Sequence, residues 1–312
     1  MPKLRDVDVK IVNGLQVDKE NDEVIYNDEK HLYLDKVTGA KYTSVTTLIH
    51  DYAQPFDEVW WAKYKACESL LDPEMWKFLK RDLLQTKLWK DSYLEDYDID
   101  PVIFENKVAE IREGYKKKRD DACTRGTAIH ARFEDMYSKP GDVEVNKYGL
   151  GGKFKTNAGN YKLNCDRGVF PEFLISYKFD DYLMISGQLD LLIVDNQDIT
   201  IVDYKTNAKI DKKSYFDNKT KQSQKMKFPL NNIDDSNYWH YCLQLSTYAY
   251  LLQKINPKFK IKNLIIHHID HDGNETEYNC PYLKDEVERV LLHYRKKNKQ
   301  KILLERDKPI VW

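Results

Sequence analysis

Ser186-Gly187-Gln188-Leu189-Asp190-Leu191-Leu192-Ile193-Val194 and, beyond the polar pair Asn196-Gln197, Ile199-Thr200-Ile201-Val202-Asp203-Tyr204-Lys205 decide how this chain is read. Apolar and β-branched residues crowd both segments, their lengths suit strands, and Asn196-Gln197 suits the turn of a hairpin between them. Two aspartates and a lysine are embedded in that apolar setting. A carboxylate taken out of water is costly unless a counter-charge or a metal accompanies it, so Asp190 and Asp203 need a reason beyond packing. In an extended chain Asp203 and Lys205 share one face, and Tyr204 turns away.

Reading outward, Phe173 to Phe179 is a third strand candidate, and Glu23 to Thr46 reads as a β-hairpin region with turns at Asn27-Asp28 and Thr38-Gly39. From Ser44, Val45, Leu48 and Ile49 fall at helical spacing, with Ser44 or Thr46 as the cap. Helices are expected over Trp60 to Leu71, Met75 to Trp89 and Val102 to Lys118, with the acidic stretch Glu95 to Pro101 as a surface linker. A soft boundary near residue 115 would separate an N-terminal hairpin-plus-helical region (1–115) from a core (116–312). In that core, Ala122 to Ser138 is a helix with Ile129, Phe133 and Met136 as its apolar stripe, followed by a flexible glycine-rich loop, 139–160, that lacks Walker spacing. Tyr238 to Ile255 and Leu283 to Lys301 are further helices and Leu264 to Ile269 a strand. This order implies an α/β fold, a mixed central sheet flanked by helices.

The 312 residues carry 50 basic and 51 acidic side chains, a net charge of -1, so global charge announces no polyanionic partner and local clusters must carry any such argument. Lys116 to Arg119 is either a solvated helix face or a phosphate contact. Lys209 to Lys227 holds seven lysines against Asp211 and Asp217, with Tyr215 and Phe216 interleaved, and reads as a loop too polar to pack. Five scattered cysteines without a CxxC pair argue against a disulfide framework, a zinc knuckle or an iron–sulfur cluster. No apolar run approaches the roughly 18 residues of a membrane span, and the start lacks a signal-peptide core. A soluble, cytoplasmic protein is expected (host cytoplasm if viral).

Hydrolysis of a phosphodiester needs a nucleophile at neutral pH, charge neutralisation and help for the leaving oxygen, all of which one or two Mg²⁺ or Mn²⁺ ions supply. Asp190 and Asp203 on adjacent strands suit such hard cations, the Tyr204 backbone carbonyl is another hard ligand, and Lys205 can reach the water or the phosphate.

Asp190, Asp203 and Lys205, with Gly187 three residues ahead of the first aspartate, resemble the PD-(D/E)XK nuclease superfamily, specifically its RecB-like branch. Gly126-Thr127-Ala128-Ile129-His130 is similar to that branch's Gly-Thr-x-x-His helix, and Gln244-Leu245-Ser246-Thr247-Tyr248 to its Gln-x-x-x-Tyr helix. Glu172 is the candidate for the acid near the first core strand. His31-x-Tyr33 with Tyr42 to Ile49 is similar to the opening of phage-type RecB-like exonucleases. The resemblance implies His130 as a metal ligand beside Asp190 and Asp203, a catalytic set of Lys205, Asp203, Asp190, Glu172, Gln244 and Tyr248, and a DNA exonuclease of replication, recombination or repair. DNA would be the partner, together with a single-strand-binding or annealing protein or a separate helicase, since the chain has no Walker motif. The expected DNA contacts are Arg125, Lys212, Lys213, Lys219, Lys221 and Lys225, the lysine loop being either a phosphate track or a solvated loop. Glu134, one turn from His130, is either a surface charge or a partner of the metal site. His267 and His268 point to opposite strand faces and read as a strand end, not a metal cluster. The competing readings are a non-catalytic nucleic-acid-binding or assembly protein on a nuclease-derived fold and a non-nuclease Mg²⁺ enzyme.

Overall fold

The computed structural model describes residues 10–12, 15–163, 165–217 and 221–306. In chain order these form β1 (Ile11–Val12), β2 (Leu15–Gln16), β3 (Lys19–Glu20), β4 (Val24–Asn27), β5 (Leu32–Asp35), β6 (Thr43–Ser44), α1 (Val45–His50), α2 (Glu58–Leu70), α3 (Pro73–Thr86), α4 (Ser92–Asp96), α5 (Pro101–Ser138), β7 (Asp142–Val145), β8 (Leu150–Thr156), β9 (Arg167–Asp180), β10 (Leu183–Asp195), β11 (Asp198–Lys205), β12 (Phe216–Asp217), β13 (Gln222–Ser223), α6 (Asn237–Ile255), β14 (Lys260–Ile269), β15 (Glu275–Asn279) and α7 (Lys284–Arg306). The chain divides into two units, one made of the residues up to Gln54 with those from Ala128 on, the other of Pro55–Thr127.

The first unit is built on a mixed eight-stranded sheet, β15-β14-β11-β10-β9-β8-β7, with β6 beside β10. Three pairs are parallel, β11 with β14, β8 with β9 and β6 with β10. A parallel pair needs a long crossover, which α6 supplies between β11 and β14. The aliphatic runs of β10 and β11 are continuous because helices cover both faces. On one face Leu192, Val194, Ile199 and Ile201 pack with residues of α1, α6 and α7. On the other, Leu191, Ile193, Val202 and Tyr204 pack with Phe133 and Tyr137 of α5. Thus the α/β class with a mixed, helix-flanked sheet holds.

The second unit packs α2, α3, α4 and the first part of α5 around Trp60, Trp76, Leu79, Leu83, Tyr93, Phe104 and Val108. Asp57 caps α2 by accepting from Trp60 N, and Asp72 caps α3 by accepting from Glu74 N and Met75 N.

Several local expectations are corrected. Segment 139–160 is not a loop: β7 and β8 pair within it and bury Val145, Leu150 and Phe154, with Gly149 at φ +73° supplying the left-handed turn between them. The acidic stretch does lie at the surface, with Glu95, Asp96, Asp98 and Asp100 exposed, but it is anchored, because Ile99 is buried and Asp100 accepts from Val102 N and Ile103 N at the start of α5. Helix α5 runs unbroken through residues 118–122, and Tyr137 replaces the exposed Met136 on its buried face. Within 209–227, Met226 is buried in the main core and Ile210 packs against it, so the segment is anchored despite its lysines.

Candidate metal centre

The centre arises where β10 and β11 separate. Their antiparallel ladder runs from Asp195↔Asp198 to Leu191↔Val202 and ends there. Beyond it β11 stays with β14, through Asp203↔Ile266, Tyr204↔His267 and Lys205↔His268, while β10 stays with β9, through Leu189↔Phe173 and onward. The edge of β10 freed by this fork is taken further along by β6, through Ile185↔Thr43 and Ser186↔Ser44, and Ser44 then caps α1. Inside the fork, Asp190 Oδ2 accepts a hydrogen bond from Tyr204 N at 2.7 Å. A side chain thus meets the backbone donor left by the broken ladder.

Both strands bordering this point change phase. In β10, Ile185 and Leu189 pack on the α6 side, and so do Leu192 and Val194, so the alternation shifts at Asp190. In β9, Phe170 and then Phe173 and Ile175 pack on that side, so the shift falls at Pro171-Glu172. Glu172 has φ +50°, a left-handed conformation costing a non-glycine residue about 1–3 kcal/mol. Its register position, between Phe173↔Leu189 and Pro171↔Leu191, sets it opposite Asp190.

Helix α5 completes the group. Phe133 stacks on Tyr204, with ring centroids 4.1 Å apart, which seats the helix so that His130 meets the fork. His130 Nε2 is 3.2 Å from the Tyr204 carbonyl oxygen, and Nδ1 is 3.5 Å from Asp190 Oδ1 and 4.0 Å from Glu172 Oε1. Ligand-type atoms of His130, Glu172 and Asp190 all lie within 4.8 Å of one another. Two carboxylates, an imidazole and a nearby backbone carbonyl form a donor set suited to Mg²⁺ or Mn²⁺.

On the α6 side of β11, Lys205 Nζ lies 2.5 Å from Asp203 Oδ2, and Gln244 Nε2 donates to Asp203 Oδ1 at 3.1 Å. The Lys205 ammonium also lies 4.7 Å from the centroid of the Tyr241 ring, whose hydroxyl donates to Asn207 Oδ1 at 2.6 Å. Tyr248, buried on α6, abuts β10: a Cβ added to Gly187 would fall 2.8 Å from its ring. The glycine is therefore required by the approach of α6.

The electrostatics describe a centre short of positive charge. Burial, followed by the neighbouring charge of Asp190, pushes the Glu172 carboxyl above the usual carboxylate range against the pull of Lys19, and Glu134 adds to the push. Asp203 is raised by burial and by Asp190, against the opposing effect of Lys205. Burial disfavours the charge of Lys205, but Asp203 and Asp190 outweigh it and hold its pKa above the ordinary value.

The residues expected from sequence separate into groups. His130, Glu172 and Asp190 converge with the Tyr204 carbonyl. Asp203 has its oxygens on Gln244 and Lys205, outside the group of three. Glu134 is exposed on α5, near enough for its charge to act on Glu172. Arg125 lies on α5 five residues before His130. Among the loop lysines, Lys213 and Lys221 are exposed, Lys225 is paired with Asp234 at 2.5 Å, Lys212 lies 4.8 Å from the Tyr238 ring centroid, and Lys219 is outside the described residues. His267 and His268 do diverge, His267 to Tyr148 and Glu275, His268 to the Asn207 carbonyl. Sequence reasoning missed Lys19, whose Nζ is 3.6 Å from Glu172 Oε2, and the Tyr241–Asn207 pair. Asn207 could have been suspected from its place two residues after Lys205; Lys19 carries no motif.

No family model matches the chain, and no curated protein does. Among solved structures it is similar to SSO0001, with 12% identity and a TM-score of 0.33, over 88% of this chain and 81% of that one. It is also similar to a protein from Eubacterium rectale provisionally named an exonuclease, with 11% identity and a TM-score of 0.30, over 84% and 80%. Likeness this distant leaves activity to be argued from the residues. Among the described residues no helix is long and apolar enough to cross a membrane.

Proposed function

We propose that this chain is a Mg²⁺- or Mn²⁺-dependent deoxyribonuclease of the PD-(D/E)XK superfamily, RecB-like branch, hydrolysing phosphodiester bonds from DNA ends. The observation that supports this most is the fork, which gathers His130, Glu172 and Asp190 around one point and sets a half-buried lysine on the adjoining Asp203. Those three side chains and the Tyr204 carbonyl would hold the ion. A divalent ion supplies phosphate charge neutralisation and a more acidic water. Gln244 and Asp203 fix Lys205, while the Tyr241 ring covers its ammonium. Lys205, ion-paired with Asp203, is placed to orient or deprotonate the attacking water or to donate to a phosphate oxygen. The preference for ends rests on the resemblance, as does a helper such as an annealing protein or separate helicase.

Labelled linear and circular DNA, incubated with EDTA and then with added Mg²⁺ or Mn²⁺, tests the reading. Loss of linear DNA only with metal, and sparing of circles, is the expected result. Full activity in both Asp190→Asn and Lys205→Met would end it.

A further inference from the structure

Glu172 has a partner from well outside the strands that carry the other site residues. Lys19, on β3, sets its ammonium 3.6 Å from Glu172 Oε2, with 23% of its side chain exposed. Although β3 has only two residues, it is firmly placed. Lys19 pairs in register with Tyr26 of β4, all four residues of β4 are buried, and Val24 and Tyr26 pack with Leu174 of β9 and Met184 of β10. Two residues after Lys19, Asn21 donates from Nδ2 to Ser176 Oγ at 3.1 Å, which ties the same segment to β9 four residues past Glu172. Glu20 faces elsewhere and pairs with Lys10 and Lys36, as strand alternation requires.

The charges around the fork can then be counted by partner. Asp203 has Lys205, Glu172 has Lys19, and Asp190 between them has Tyr204 N and His130. A divalent ion entering among His130, Glu172 and Asp190 competes with Lys19 for one carboxylate. Once that carboxylate serves the ion, a mostly buried ammonium stands beside a cation, an arrangement that becomes favourable when an anion joins them. The backbone phosphate of a DNA strand is such an anion.

We propose that Lys19 is the counter-ion of the metal-free centre and, with the ion in place, a phosphate contact for the bound DNA strand, so that β3 couples metal loading to substrate binding. The second half rests on the nuclease reading above; the first needs only metal binding. Mn²⁺ titration calorimetry and steady-state kinetics on linear DNA, applied to wild type, Lys19→Met and Lys19→Arg, separate the two. Lys19→Met should bind Mn²⁺ about ten-fold tighter, because a repelling charge is gone, while its KM for linear DNA at saturating Mn²⁺ rises about ten-fold. Lys19→Arg should return both values toward wild type. Damage to the N-terminal sheet would instead weaken both, so opposite signs are the signature. Mn²⁺ affinity that is unchanged or weaker in Lys19→Met overturns the counter-ion, and an unchanged KM overturns the phosphate contact. If Lys19→Met does not fold by circular dichroism, Lys19→Gln carries the same measurements. A wild-type chain that binds Mn²⁺ yet leaves DNA intact would sink the nuclease reading, while the Mn²⁺ arm still decides the counter-ion.

Discussion

The two ends of the β10–β11 pair are made of the same two strands and opposite chemistry. At the hairpin end, Leu191 to Val194 lie in register against Ile199 to Val202, nearly all of them without solvent exposure and with helices on both faces. At the open end the ladder stops, and the next positions hold Asp190, Asp203 and Lys205. The closed end is self-sufficient, since apolar burial and ladder bonds need no outside partner. The open end is not: it contains a left-handed Glu172, carboxyls raised by burial and mutual repulsion, and an ion-paired lysine. The difference teaches that a rigid aliphatic hairpin is what allows an electrostatically unfavourable fork to persist.

The hardest way to break this comparison is to remove charge at the open end. Lys205→Met is expected to lower the rate of metal-dependent DNA hydrolysis about 10³-fold while leaving thermal unfolding cooperative. Asp190→Asn should abolish Mn²⁺ binding as well as hydrolysis. A Lys205→Met protein with wild-type turnover would show that the fork is not where the reaction occurs.

At the closed end the expectation reverses. Ile193→Ala removes a fully buried side chain from the α5-side core and should cost about 3 kcal/mol of unfolding free energy, measured by urea titration. Mn²⁺ affinity per folded molecule should stay within two-fold of wild type. A large drop in that affinity would mean that the two ends are not separable.

Beyond the open end, further along β10, stands Gly187. Gly187→Ala introduces a Cβ 2.8 Å from the Tyr248 ring, and overpacking of this kind costs about 1–3 kcal/mol. Replacing the ring as well, in Gly187→Ala/Tyr248→Leu, should cost less than the two single changes added together. Strict additivity in that double-mutant cycle would deny that the glycine serves the approach of α6.

What could be read from the chain alone follows the same division. The aliphatic hairpin, the α6 helix, a cap at Ser44 or Thr46 (it is Ser44) and the shared face of Asp203 and Lys205 all follow from local periodicity and cap chemistry, and each is observed. The fork does not follow, because it depends on which neighbour each strand keeps, and nothing local in β10 or β11 says that pairing ends at Leu191↔Val202. The left-handed Glu172 was hidden for the same reason: Pro-Glu-Phe has no glycine or asparagine to announce a positive φ. β7 and β8 were missed because polar, glycine-containing strands are held by partners and by Phe154 and Leu150, not by their own propensity. Lys19 was beyond reach, since its meaning comes from a contact between residues 153 positions apart in the chain.

The smallest effect tests how the open end is held after β10 departs. There β11 relies on β14, and His267, in register with Tyr204, is nearly inaccessible to solvent and lies between the Tyr148 hydroxyl and Glu275. Burial first, then the positive charge of Lys147 and Arg132, lower its pKa to about 4 against the opposing attraction of Glu275. The unfolded chain, with a histidine pKa near 6.5, therefore takes up a proton that the folded chain refuses. Stability from this residue is complete above about pH 6.5 and is lost as the pH falls from there toward 4, amounting to about 2 kcal/mol by pH 5. His267→Gln should be less stable than wild type at pH 7 but should lose less of its urea resistance between pH 7 and pH 5. If both proteins lose the same amount, the acid sensitivity belongs to other groups, and the β11–β14 seam is not secured by a neutral His267.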